Sequence, residues 1–71
     1  MINKKLLQAH MILKGITAKD FADAQGWSLR KTYRKINGET AFMVPEVQLC
    51  KELLDLDPPT VNAIFFASDL S

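Results

Sequence analysis

The chain of 71 residues is 48% hydrophobic and 24% charged, has a net charge of +1 and contains one cysteine, Cys50. Its charge is split: residues 1–40 hold eight Lys/Arg and three acids, a balance of +5, whereas residues 41–71 hold one Lys and five acids, a balance of −4. This is one small domain with little stability to spare, and it excludes an internal disulfide, a cysteine-pair metal site and any run near the roughly 20 apolar residues that cross a bilayer.

Asn3 to Lys14 reads as a first helix, with Leu6, Leu7, Ala9, Ile12 and Leu13 on its apolar side and Met11 widening it. Gly15 is its stop. The basic and then apolar start lacks the unbroken core and small-residue cleavage site of a signal peptide, and a single cysteine fits a reducing cytoplasm. His10, the sole histidine, is expected as a partly exposed helix residue.

Thr17 caps a second helix, Ala18 to Gln25, with Asp20 three residues on in the pattern of a capping box. Phe21, Ala22 and Ala24 are expected to face inward, and Gly26 ends the helix. Trp27 follows in the turn as a core plug. Ser28 is the N-cap of a third helix. Leu29, Tyr33 and Ile36 recur at i, i+4 and i+7, one helix face, while Arg30, Lys31, Arg34 and Lys35 fill the rest without an acid. Asn37 and Gly38 end it. Two short helices joined by a glycine-containing turn form the helix-turn-helix plan, and the small Ala22 allows the helices to cross closely.

Glu39 to Met43 reads as a loop. Pro45 suits the first helical position of a fourth helix running to about Leu54, with Val47, either Leu49 or Cys50, Leu53 and Leu54 inward. Cys50 is expected as a small buried hydrophobe. Asp57-Pro58-Pro59 starts a fifth helix whose Val61, Ile64, Phe65 and Phe66 form an apolar cluster, and Ala67 to Ser71 are expected to fray. The pattern is all-α, without a strand or repeat. No carboxylate pair, Ser/His/Asp set, metal cluster or phosphate loop is present, so no catalytic residue, metal or cofactor is expected.

The stretch GITAKDFADAQGWSLRKTYRKING resembles the helix-turn-helix core of the Cro/repressor (Xre-type) DNA-binding proteins. It is most similar to small phage and prophage regulators of Gram-positive bacteria. Those carry a Y-R-K-(L or I)-N-G ending of the recognition helix, a loop phenylalanine and an I-F-F near the C-terminus. Tyr33-Arg34-Lys35-Ile36-Asn37-Gly38, Phe42 and Ile64-Phe65-Phe66 match these, and the resemblance covers about Leu6 to Ala67. It implies a five-helix bundle of the lambda-repressor-like type over residues 1–71, with the helix-turn-helix at about 17–37. It further implies a Cro-like repressor that binds operator DNA as a homodimer in a bacterial cytoplasm, with no small-molecule ligand and no membrane. Two departures stand out. Met11 and Ile36 occupy the places where many relatives have a paired Arg and Glu, so an ion pair is exchanged for a hydrophobic contact. Lys35 stands where many relatives are apolar.

In such a helix the first residues point at base edges while neighbours hold phosphates. Arg30 is long enough for a bidentate guanine contact, and Arg34 follows one turn later. Leu29 either touches a thymine methyl or is buried. Thr17, Ala18 and Lys19 open the second helix and are assigned to phosphate, as are Ser28, Lys31, Lys35, Asn37 and Thr40. Phe66 points about 100° away from Val61, Ile64 and Phe65. A dimer through the fifth helix and the preceding loop is therefore expected, with Val61 and Phe66 at the interface; the other possibility is that both phenylalanines complete the monomer core. An alternative function is a protein-binding accessory whose acidic half docks a larger repressor.

Overall fold

Each helix begins where a side chain closes its first turn. A computed structural model describes residues 2–66 as five helices: α1 Lys4–Lys14, α2 Ala18–Gln25, α3 Leu29–Ile36, α4 Val44–Leu54 and α5 Pro58–Phe65. Asn3, Thr17, Ser28 and Asp57 each accept the amide three residues on, at 3.0–3.1 Å, which satisfies a donor the helix cannot. The N-cap of α4 is Met43, which has no cap oxygen. There Glu46 reaches back, its Oε1 accepting the Met43 amide at 2.8 Å. Gly15 and Gly26 end α1 and α2 in the left-handed region, at φ 69° and 75°. Asp55 does the same for α4 at φ 52°; aspartate tolerates this conformation better than most residues.

α2 packs on α3 and α4, while α1 reaches α3, α4 and α5 across the other side. The Asn3 amide donates to the Ile64 carbonyl at 2.7 Å and ties the start of α1 to the end of α5. One core joins all five helices, with Leu7, Phe21, Cys50, Leu54 and Ile64 fully enclosed. Phe42, a loop residue, is the hub of its aromatic part: its ring lies 6.3 Å from Phe21, 5.9 Å from Trp27 and 5.0 Å from Phe65. Trp27 is accordingly a half-buried plug of the α2–α3 turn. Met11 and Ile36 lie in this same core.

Several inward faces differ from the sequence reading. On α1 the buried residues are Leu7 and Met11, whereas Ile12 is 81% exposed and Ala9 and Leu13 are also exposed. Leu7 and Met11, one turn apart, form the buried stripe of α1, with partly buried Leu6 packed beside it. Ala24 is exposed on α2. On α4 it is Cys50, not Leu49, that is enclosed. On α3 the inward set is Thr32, Lys35 and Ile36, while Leu29 and Tyr33 are 48% and 53% exposed. Val61 is buried with Ile64 and Phe65, so it belongs to the monomer core and not to a free interface; Phe66 is 57% exposed. Residues 67–71, expected to fray, lie outside the described residues.

The α1 face is tested by stability. Leu7→Ala is expected to cost about 2–5 kcal/mol, and Ile12→Ser to stay within about 0.5 kcal/mol of the parent. Urea denaturation of both variants distinguishes this face from the Ile12/Leu13 alternative, which predicts the reverse order.

Candidate nucleic-acid interface

Successive helix residues are about 100° apart. With Thr32, Lys35 and Ile36 turned inward, Arg30 and Arg34 come to the middle of the solvent side of α3. Leu29 and Tyr33 flank them on one edge and Lys31 on the other. Ser28, Arg30, Lys31, Arg34, Lys35 and Thr40 line one shallow depression, and no carboxylate is among its lining residues. Six residues assigned to the interface from sequence thus come together; Leu29, Asn37 and the α2 group do not line this depression. The Lys31 ammonium sits 5.4 Å from the Trp27 ring centroid, a cation–π distance. Arg34 Nε is 3.9 Å from Glu39 Oε1, a loose surface pair that solvent screens. The Ser28 hydroxyl caps α3, and its carbonyl accepts the Thr32 hydroxyl at 2.9 Å.

Lys35 requires a correction. It lines the floor of the depression, but its side chain is only 8% exposed. Its Nζ donates to the Ala41 carbonyl at 2.6 Å and to Glu46 Oε1 at 2.8 Å. It also lies 5.4 Å from the Trp27 ring and 5.9 Å from that of Phe42. An ammonium held this way cannot reach out to a phosphate, so Lys35 is a structural residue rather than a DNA contact. Glu46 is the partner that sequence reasoning missed. Its backbone carbonyl accepts Gln25 Nε2 at 3.0 Å, so this one residue joins α2, α3 and the start of α4. Burial pushes its carboxyl up. The Lys35 hydrogen bond, the Met43 amide and the charges of Lys35 and Lys31 outweigh that and hold it below the usual glutamate range.

The start of α2 is less open to an anion than its sequence suggests. The Thr17 amide, assigned to phosphate, donates instead to Asp20 Oδ2 at 3.0 Å, and the Thr17 hydroxyl accepts the Asp20 amide. Hydrogen bonding of the carboxyl to the Thr17 backbone amide, and then to the Thr17 side chain, holds Asp20 below its ordinary value, so a negative charge stays at this helix end. Lys19 lies 3.6 Å from Asp23 in an exposed i, i+4 pair. The amides of Ala18 and Lys19 and the Lys19 ammonium are what remain here for a phosphate. Asn37 is exposed at the end of α3.

Burial pushes the Cys50 thiol up to about 12, leaving it an unreactive packing group. Among the described residues no group of three His, Cys, Asp or Glu is placed to hold a metal, and no helix is long and apolar enough to cross a membrane. The chain matches no protein-family model, no curated protein and no solved structure.

Lys35→Met leaves the part-buried Glu46 carboxylate without its cation and is expected to cost about 1–3 kcal/mol. Adding Glu46→Gln should recover much of that loss. Because the folded Glu46 value is depressed, its contribution is complete above the unfolded value of about 4.3 and is lost as pH falls through the lower folded value. Acid titration of thermal stability should therefore be shallower in Glu46→Gln than in the parent, with Asp20 and Asp57 supplying the remaining slope.

Proposed function

We propose that this protein is a sequence-specific double-stranded DNA-binding regulator of the Cro-like kind, acting on operator DNA as a homodimer with α3 in the major groove. The observation that carries this reading is the basic depression along α3 lined by Ser28, Arg30, Lys31, Arg34, Lys35 and Thr40, with no carboxylate among its lining residues. With its side chains an α-helix such as α3 is about 10–12 Å across and fits a major groove about 12 Å wide. Arg30 has no ion-pair partner among the described residues and is free for the O6 and N7 of a guanine. Arg34 reaches a neighbouring base or a phosphate. Lys31 and the Ser28 and Thr40 hydroxyls contact the backbone and set the register, with Ala18 and Lys19 on the strand beside α2.

The accessory-protein alternative has less support. Of the described acids of the second half, Glu46 is turned onto Lys35 and is withdrawn from any docking face, which leaves Glu52, Asp55 and Asp57 exposed around the α4–α5 turn. Selection from a random duplex library, followed by gel shifts at stated salt, tests autonomous DNA binding. Failure to retain any duplex would favour the accessory reading.

Arg30→Ala is expected to cost about 1–3 kcal/mol of specific binding and to relax preference at one base pair, whereas Lys19→Ala should weaken all duplexes evenly and lower the salt slope by about one. A uniform loss for Arg30→Ala would mark it as a phosphate contact, and an unchanged slope would remove Lys19 from the interface.

The dimer follows from reach. The molecule is 32 Å in its longest dimension, and one α3 covers a few base pairs, while palindromic half-sites lie about 34 Å apart. Exposed apolar groups of this size on a small domain suit an interface. Phe66 is the anchor, with Val44 across the same surface groove. Phe66→Asp is expected to abolish cooperative filling of a palindromic site, as measured by titration, while the melting temperature stays close to that of the parent. Loss of folding would instead make Phe66 a core residue.

A further inference from the structure

Leu29 and Tyr33 have no place in the core. They lie i, i+4 on one edge of α3, about half exposed, while Thr32, Lys35 and Ile36 take the buried sector. The Arg30–Arg34 row runs beside them, about 100° round the helix. α3 therefore presents two parallel rows to solvent, one cationic and one apolar. A surface that fits both must be anionic yet carry small apolar groups at a fixed depth between its charges. The major groove has one such group, the C5 methyl of thymine, set on the base edges between two walls of phosphate.

Building on the reading of α3 as a groove helix, we infer that Leu29 and Tyr33 are specificity residues that pack on thymine 5-methyl groups beside the base pairs contacted by Arg30 and Arg34. Leu29 stands in the first turn, nearest the base edges. Tyr33 is one turn on, and its ring supplies a broad apolar face with little conformational entropy to lose. The tyrosine ring, not its hydroxyl, makes the contact. The preferred half-site therefore combines guanine with adjacent thymine.

The test uses the duplex recovered from a random library and the intact protein. Each thymine of a half-site is replaced in turn by deoxyuridine, which removes only the methyl. Binding is expected to fall about fourfold at one or two positions, the loss that accompanies one methyl-sized group left unburied. The Leu29→Ala/Tyr33→Ala variant, with circular dichroism like the parent, should no longer distinguish thymine from deoxyuridine. Tyr33→Phe should distinguish them as the parent does. Equal binding of the two duplexes by the parent overturns the inference. So does discrimination that survives in the double alanine variant, its loss in Tyr33→Phe, or a recovered half-site without thymine. Failure to bind any duplex overturns the groove reading itself, and this inference with it, whereas duplex binding indifferent to the methyl overturns the inference alone.

Discussion

The ion pair between Lys35 and Glu46, 2.8 Å long and almost enclosed, is the constraint on which the rest of the structure depends. Removing two charges from water is expensive, and attraction repays that cost only when the remaining donors and acceptors are also satisfied. Here the ammonium also donates to Ala41 and faces two aromatic rings, while the carboxylate also accepts the Met43 amide. No buried side-chain nitrogen or oxygen among the described residues lacks a partner. What the pair contributes is specificity of arrangement. On hydrophobicity alone, α3 would turn Leu29 and Tyr33 inward. Lys35 can meet Glu46 only in the rotation that leaves those two residues outside and Arg30 and Arg34 between them and Lys31.

That rotation reaches well beyond one helix. Glu46 starts α4 and takes a hydrogen bond from Gln25 at the end of α2. The loop between α3 and α4 is closed by the Lys35 bond to Ala41 and by the insertion of Phe42 among Trp27, Phe21 and Phe65. A helix of eight residues is marginal in water by itself. The shape of the basic surface is thus a property of the bundle, and α5 and the start of α1 support it through Phe65 against Phe42 and the tie between Asn3 and Ile64.

The charge split acquires a structural meaning in the same way. A net charge of +1 by itself gives little attraction for a polyanion, but the potential at a surface depends on what lies near it. The depression on α3 is lined by cations and hydroxyls, while from the second half Glu46 is engaged by Lys35 and Asp57 caps α5. The start of α2 runs the other way: Asp20 closes its own cap there and keeps a negative charge at that helix end.

Most of the helix boundaries were legible in the sequence, because caps act over three residues: Thr17 with Asp20, Ser28 with Lys31, Asp57 with Thr60. The end of α4 was also legible, at Leu54, although its left-handed Asp55 cap gives no signal like that of glycine. The basic surface was legible in part, since Ser28, Arg30, Lys31, Arg34 and Thr40 stand close in sequence and on one side of a helix. Which side of each helix is buried was not. On α3, Leu29–Tyr33–Ile36 and Thr32–Lys35–Ile36 are both admissible stripes, and the choice falls to Glu46, a partner eleven residues from Lys35. On α1 the choice between Leu7–Met11 and Ile12–Leu13 rests on three other helices. Val61 and Phe66 were separated only when α5 was packed. Local hydrogen bonds determine where a helix starts and stops, and nearby residues suffice to read them. The rotation of a helix about its axis is decided by residues distant in sequence, because it is their packing and charge that must be satisfied at once.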